Sequence, residues 1–237
     1  MPFQMVRSCR SPRQLALAFR SWGGARRGAG RKPRGPHAGA SHAPRPGLDA
    51  RHPLHVTLRV GRGVPSLRSQ RCLGVLRRAF SAARERFGFR LVHYGVQADH
   101  IHLLCEAPDG RCLSRALQGL CIRIARRLNA ELGRRGRLFA DRYHARALSS
   151  PREVRNCLAY VLLQRRRHGA KRAVGITSVL DPCTSGGCFD GWSRAVGPRA
   201  GPWQETVVAA QSWLLRVGWQ RHGRIDPEEV PGAPPLR

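Results

Sequence analysis

Between residues 54 and 168 the apolar positions switch back and forth between strand and helix spacing, and the order of the switches leaves few folds open. Leu54, Val56, Leu58 and Val60 occupy every second position, as on a half-buried strand that Gly61 and Gly63 end. Over 66–87, Leu73, Leu76, Ala79, Phe80 and Ala83 fall on one helical face with arginines between them, and Gly88 follows as a helix stop. Residues 89–96 and 100–106 read as strands, and the short Gln97-Ala98-Asp99 link between them predicts a hairpin. Residues 113–132 form a second basic amphipathic pattern closed by Gly133, and 137–148 read as a further strand. Ser150-Pro151-Arg152-Glu153 is a capping-type start for a helix running to about 168, with Gly169 behind it. The order βαββαβ plus a helix predicts an α+β, ferredoxin-like (RRM-like) antiparallel sheet with two helices on one face and one helix added after it. Beyond a stretch rich in Gly, Ser and Pro over 172–200, the spacing of Val207, Val208, Trp213, Leu214, Leu215 and Trp219 predicts one more helix over 204–219. Its tryptophans are expected as core or docking residues rather than as base-stacking ones.

Charge narrows the partners. The chain has 43 Lys and Arg against 14 Asp and Glu, a formal net charge of +29 over 237 residues. Self-repulsion on that scale is tolerable when something acidic neutralises it, and nucleic acid fits better than an anionic membrane surface. No apolar run approaches the roughly 20 residues of a membrane span. The length suits one medium domain with appendages: a basic arm over 1–50, a folded domain over 51–170 and an extension over 171–237 that is partly helical. The arm carries ten Lys and Arg against the single acid Asp49 and is dense in Gly and Pro, so it is expected to be disordered in isolation. A mitochondrial presequence is conceivable for its first twenty residues, but the same composition simply continues beyond them. Within the arm, Gly30-Arg31-Lys32-Pro33-Arg34-Gly35-Pro36 looks like an AT-hook. Arg31, Lys32 and Arg34 are either a minor-groove element or part of a merely solvated tail. The eight cysteines include no CxxC pair and sit mostly in apolar runs, which favours small buried hydrophobes over a zinc site.

Two constellations could carry chemistry. On a strand, His100 and His102 point to the same face while Ile101 enters the other. Two such imidazoles are either ligands for a divalent ion or ordinary solvated, hydrogen-bonded histidines. Asp99 could orient a ligand or merely begin the strand. The second constellation is on the helix over 151–168, where Gln164 lies four residues after Tyr160 on the same face, flanked by Arg165, Arg166 and Arg167. A phenol can attack a phosphodiester, an amide oxygen can serve as a metal ligand, and the three arginines could track phosphates. Tyr143 is the rival nucleophile, although no amide partner is placed beside it.

These residues also carry a resemblance. Gln97-Ala98-Asp99-His100-Ile101-His102-Leu103-Leu104 resembles the HUH motif (His, bulky hydrophobe, His) of the single-tyrosine, insertion-sequence 200-like transposases. Leu158-Ala159-Tyr160-Val161-Leu162-Leu163-Gln164 resembles the nucleophile helix of that family. Phe139-Ala140-Asp141-Arg142-Tyr143-His144 and the Arg-rich arm are similar to the REP-associated tyrosine transposases in particular. In many relatives the residue four after the tyrosine is Asn; here it is Gln, and both present an amide oxygen. The resemblance covers about residues 52–170 and does not extend to 175–237. It implies a divalent metal, Mg²⁺ or Mn²⁺, on His100, His102 and Gln164, with Tyr160 forming a 5′-phosphotyrosine link. It also implies cleavage and rejoining of single-stranded DNA near hairpin repeats of the REP-like palindromic type, by a bacterial, cytoplasmic, nucleoid-associated protein that is a monomer or a homodimer. The alternative from another class is a catalytically inactive ferredoxin-like nucleic-acid-binding protein. A two-histidine phosphoesterase would need two His-x-Thr/Ser motifs, and no such pair is visible.

Overall fold

The computed structural model describes residues 47–171, 180–196 and 204–232. Arg31, Lys32 and Arg34, with most of the basic arm, lie outside the described residues. In chain order the elements are β1 (Leu54–Arg59), α1 (Gln70–Ser81), β2 (Glu85–Arg86), β3 (Phe89–Val96), β4 (His100–Glu106), α2 (Gly110–Glu131), β5 (His144–Ala147), α3 (Pro151–Lys171) and the short α4 (Trp213–Arg216). The strands form one antiparallel sheet in the order β2-β3-β4-β1-β5. Apart from the two-residue β2, this is the ferredoxin-like arrangement, with β1 inserted between the β3–β4 hairpin and the last strand.

Alternation gives the sheet two unlike faces. Leu54, Val56 and Leu58 of β1 and Ile101, Leu103 and Cys105 of β4 pack under α1 and α2, against Leu76, Phe80, Leu117 and Ile124. His55, Thr57, His100, His102 and Leu104 occupy alternate positions facing the other way, where Leu104 joins Val154, Leu158, Val161 and Leu162 of α3 in a second core. Each of those α3 side chains, fully removed from water, contributes roughly 1.5–3 kcal/mol to holding the helix on the sheet. In β3 the register shifts between Leu91 and His93. Leu91, Tyr94 and Val96 all belong to the first core, and Gly95 is left beneath α3.

Local signals place the helix starts. Ser69 accepts from the Cys72 amide at α1, and Asp109 accepts from the Cys112 amide at 2.7 Å, which starts α2 three residues ahead of the expected 113. At α3, Glu153 accepts from the amides of Ser149 and Ser150 while its own amide donates to Ser150 Oγ, so the expected capping box is present.

Three expectations are corrected. The helix over 66–87 is shorter, because the chain turns back at Glu85–Arg86 to pair with Phe89 and Arg90. Gly88 is therefore a hairpin residue and not a helix stop: Phe87 and Gly88 have φ of 55° and 77°, the paired left-handed conformations of a tight two-residue turn. The strand over 137–148 is broken. Residues 138–140 pair with the end of β1 through Gly61 N–H to Leu138 O and Ala140 N–H to Arg59 O, then 141–143 leave the ladder and β5 spans only His144–Ala147. Finally, 204–219 is not one helix. A 3₁₀ turn at Gln204–Thr206 leads into an extended stretch in which Val208 N–H donates to Leu91 O, and the Glu106 carboxylate accepts from the amides of Gln211 and Ser212 just before α4. These tertiary hydrogen bonds override the helical spacing. Trp219 is buried as expected, whereas Trp213 is half exposed under the guanidinium of Arg221.

The C-terminal segments close the exposed edge of β3. Val96 N–H donates to Cys183 O, Ser185 N–H donates to Tyr94 O, and Arg68 grips Asp181 with two hydrogen bonds of 2.8 Å. An open edge would invite pairing with another chain. Among the described residues the cysteines are free thiols, with Cys72, Cys105, Cys157 and Cys183 buried, and no helix is long and apolar enough to cross a membrane.

The sheet approaches α3 tightly at Gly95, where a Cβ would lie 2.4 Å from the carbonyl oxygen of Val161. That oxygen belongs to the helix backbone and cannot swing aside. Gly95→Ala is therefore expected to lift α3 and cost about 1–3 kcal/mol of stability in urea unfolding. A variant as stable as the parent would contradict this packing.

Candidate functional site

Antiparallel pairing of β1 with β4 sets Thr57 opposite His102 and Arg59 opposite His100. His102 is buried, and its Nδ1 lies 3.0 Å from His55 Nε2 and 3.2 Å from Thr57 Oγ1. His100 Nδ1 lies 2.7 Å from Asp99 Oδ1, and Asp99 also pairs with Arg59. The hydrogen bond to His100 holds the Asp99 carboxyl below its usual range. Of the two roles open for Asp99 from the sequence, orienting His100 is thus the one its side chain performs. The two imidazole rings meet edge to face with centroids 4.7 Å apart.

α3 brings Tyr160 onto His102 and His55. Its ring centroid lies 5.1 Å from that of His102 and 6.0 Å from that of His55, and Gln164 Nε2 donates to the phenol oxygen at 3.1 Å. Gln164 is buried and its Oε1 makes no hydrogen bond, an orphaned acceptor of the kind that is costly unless a cation or donor completes it. His100, His102, Tyr160 and Gln164, far apart in sequence, therefore stand in one continuous cluster. Among the described residues no group of three His, Cys, Asp or Glu is disposed to hold a metal. The donors of this cluster are instead two imidazoles and one amide oxygen, a set that fits a divalent ion.

The other two tyrosines are elsewhere. Tyr94 is packed on Phe80 in the first core, where burial pushes its phenol up. Tyr143 packs against the first core, on the α2 side of the sheet, with its hydroxyl 2.8 Å from Ser114 Oγ. The excursion of 141–143 from the ladder directs it there. The arginine run divides: Arg167 sets its guanidinium 5.7 Å from the centre of the Tyr160 ring, and Arg165 acts electrostatically on Cys183.

Tyr160 and His55 also line a cleft of about 1170 Å³ between β1, β5, α3 and residues 222–232. Arg146, Arg152, Arg155 and Arg167 line it together with Asp226, Glu228 and Glu229, and Arg155 is held by Glu229 through two bonds of 2.8 Å. Sequence reading missed His55, Thr57 and this C-terminal wall. His55 and Thr57 share a face by alternation, but only the β1–β4 register shows that the face is the one holding His102.

With this geometry in place, comparison with known proteins gives a family. Residues 51–164 match the family described as Transposase IS200 like, and that stretch of the chain belongs to it. No curated protein matches. Among solved structures the chain is similar to a REP-associated tyrosine transposase bound to a REP hairpin, with 15% identity and a TM-score of 0.47 over 62% of this chain and 82% of that one. It is also similar to a protein from Deinococcus radiodurans R1 described as a transposase, with 16% identity and a TM-score of 0.36 over 58% of this chain and 100% of that one.

Burial also sets the charge of two histidines on this face. It lowers His55 to about 4, aided by the nearby Arg146 and His144, and lowers His93, which is bonded to Ser185 Oγ at 3.1 Å, to about 4. The unfolded chain takes up protons near 6.5, and the folded one does so only near 4. Stability is therefore full above about 6.5 and lost as pH falls toward 4, by roughly 1.4 kcal/mol per pH unit for each histidine. Urea unfolding between pH 7 and 5 is expected to show this slope, with His93→Leu reducing it by about half; an unchanged slope in the variant would refute the assignment.

Proposed function

We propose that this IS200-like domain cleaves and rejoins single-stranded DNA through a covalent link to Tyr160. The observation that carries the reading is the position of Tyr160: of the chain's three tyrosines it is the one lying against His102 and His55, with the Gln164 amide on its hydroxyl. The Tyr160 oxygen attacks the phosphorus of a phosphodiester, the bond to the 3′ oxygen breaks, and the 3′ oxygen leaves with a proton as a hydroxyl. The 5′ phosphate stays on the tyrosine. Attack by another 3′-hydroxyl reverses the step and joins new strands without ATP.

His100, His102 and Gln164 would hold a divalent cation, Mg²⁺ or Mn²⁺. When bound, that ion offsets the charge that develops on the phosphate oxygens. Asp99 orients the His100 ring, and the Gln164 amide N–H fixes the phenol oxygen in the cluster. Arg167 puts positive charge beside the attacking group. The rest of the phosphate backbone has the arginines of the cleft and the chain's net charge of +29 to neutralise it. The proposed substrate is a strand folded into a palindromic hairpin, which the family match and the charge support, and the proposed place of work is the bacterial nucleoid.

The experiment is cleavage of a 5′-labelled hairpin oligonucleotide in Mn²⁺. Tyr160→Phe is expected to bind the DNA with parental affinity and to cut none of it. His100→Ala and His102→Ala are each expected to reduce cutting by at least 100-fold, on the order of losing a positioned electrophilic catalyst. Cleavage that persists in Tyr160→Phe sinks the proposal. A parent that binds hairpins and never cuts them would instead make this a binding module.

A further inference from the structure

His55 takes no part in the mechanism above, yet its Nε2 sits 3.0 Å from Nδ1 of His102, nearer than the Thr57 hydroxyl at 3.2 Å. We propose that His55 is a positioning residue, accepting the Nδ1 proton of His102 so that His102 offers the lone pair of Nε2 to the metal. The inference rests on the reading of His102 as a ligand.

The case is one of proton accounting on an imidazole. A neutral ring carries one proton, and the hydrogen bond at one nitrogen decides which nitrogen keeps the other lone pair. His100 illustrates the principle within the same cluster: its Nδ1 is 2.7 Å from a carboxylate, Asp99, which can only accept, so its proton is fixed on Nδ1. For His102 the side chains shown at Nδ1 are of another kind. At its Nδ1 stand the His55 ring nitrogen and the Thr57 hydroxyl, and both groups can donate as well as accept. The two arrangements have opposite consequences. If His55 donates, His102 keeps its proton on Nε2 and has no lone pair for a metal there. If His55 accepts, His100 and His102 both present Nε2, and the metal-binding reading is self-consistent. The strand register makes the contact durable: Thr57 is directly opposite His102, and His55 follows two residues away on the same face of β1. His55 also has a ring centroid 6.0 Å from Tyr160, so the same side chain buttresses ligand and nucleophile.

The first measurement needs no metal. Ring ¹⁵N shifts of the full chain, with His102 assigned by its absence in His102→Ala, are expected to show the proton on Nδ1. A proton on Nε2 overturns the proposal outright, even if no His55 variant folds. The second measurement follows free Mn²⁺ by its paramagnetic resonance during titration. His55→Phe keeps a ring of similar volume but accepts nothing, and is expected to weaken Mn²⁺ binding on the order of 10–100-fold. His55→Gln, whose amide oxygen can reach the Nε2 position, is expected to recover most of that loss. Unchanged affinity in His55→Phe overturns the role of His55 alone, provided His100→Ala and His102→Ala do lose binding. A parent that binds no Mn²⁺ overturns the metal reading and this inference together.

Discussion

Close packing of α3 on the sheet is what assembles the site. A ferredoxin-like sheet carries its helices on one face, and the other face of this one holds histidines. α3 reaches that face because β3 offers a glycine under it, so that the Val161 carbonyl can sit where a side chain would otherwise begin. Tyr160 precedes Val161, and Gly95 is in register with His102. The same close approach that packs the helix therefore brings the phenol to the imidazole. Leu158, Val161 and Leu162 supply the apolar adhesion, and the Ser150–Glu153 cap fixes where the helix begins and so which residue faces the histidines.

Much of this was legible in the chain. Period-two spacing on 54–60 and 100–106, and the capping box before Pro151, identify strands and helix with boundaries that agree closely with those observed. His100 and His102 share a face by simple alternation, and Tyr160 and Gln164 by one helical turn. Illegible were the features that depend on partners distant in sequence. Nothing in residues 66–87 says that Glu85 and Arg86 pair with Phe89 and Arg90, since helix and hairpin both tolerate that composition. The spacing of 204–219 is helical, yet Leu91 and Glu106 capture its amides first. The role of His55 requires the register of two strands separated by more than forty residues, which no local pattern encodes.

Charge gives the arrangement its direction. Arginines and histidines of the site stand in a protein with three times as many basic as acidic groups, and the few acids are spent on specific tasks. Asp99 orients a histidine, Asp109 and Glu153 cap helices, Asp181 ties the C-terminal segment to Arg68, and Glu106 starts α4. Glu229 holds Arg155 at the wall of the cleft. What remains is positive surface, which raises the local concentration of a polyanion and makes its binding depend steeply on salt. An IS200-like domain with a buried amide acceptor, two oriented imidazoles and a tyrosine among them has the parts needed to work on that polyanion.

In the proposed reaction the phenol of Tyr160 becomes bonded to DNA phosphorus. It is tested most directly by trapping the protein on a hairpin substrate in Mn²⁺, digesting both components, and locating the nucleotide-bearing peptide by mass spectrometry. A single modified peptide is expected, with the added 5′-phosphodeoxynucleotide on Tyr160. A modification on Tyr143, or on any other residue, would contradict it.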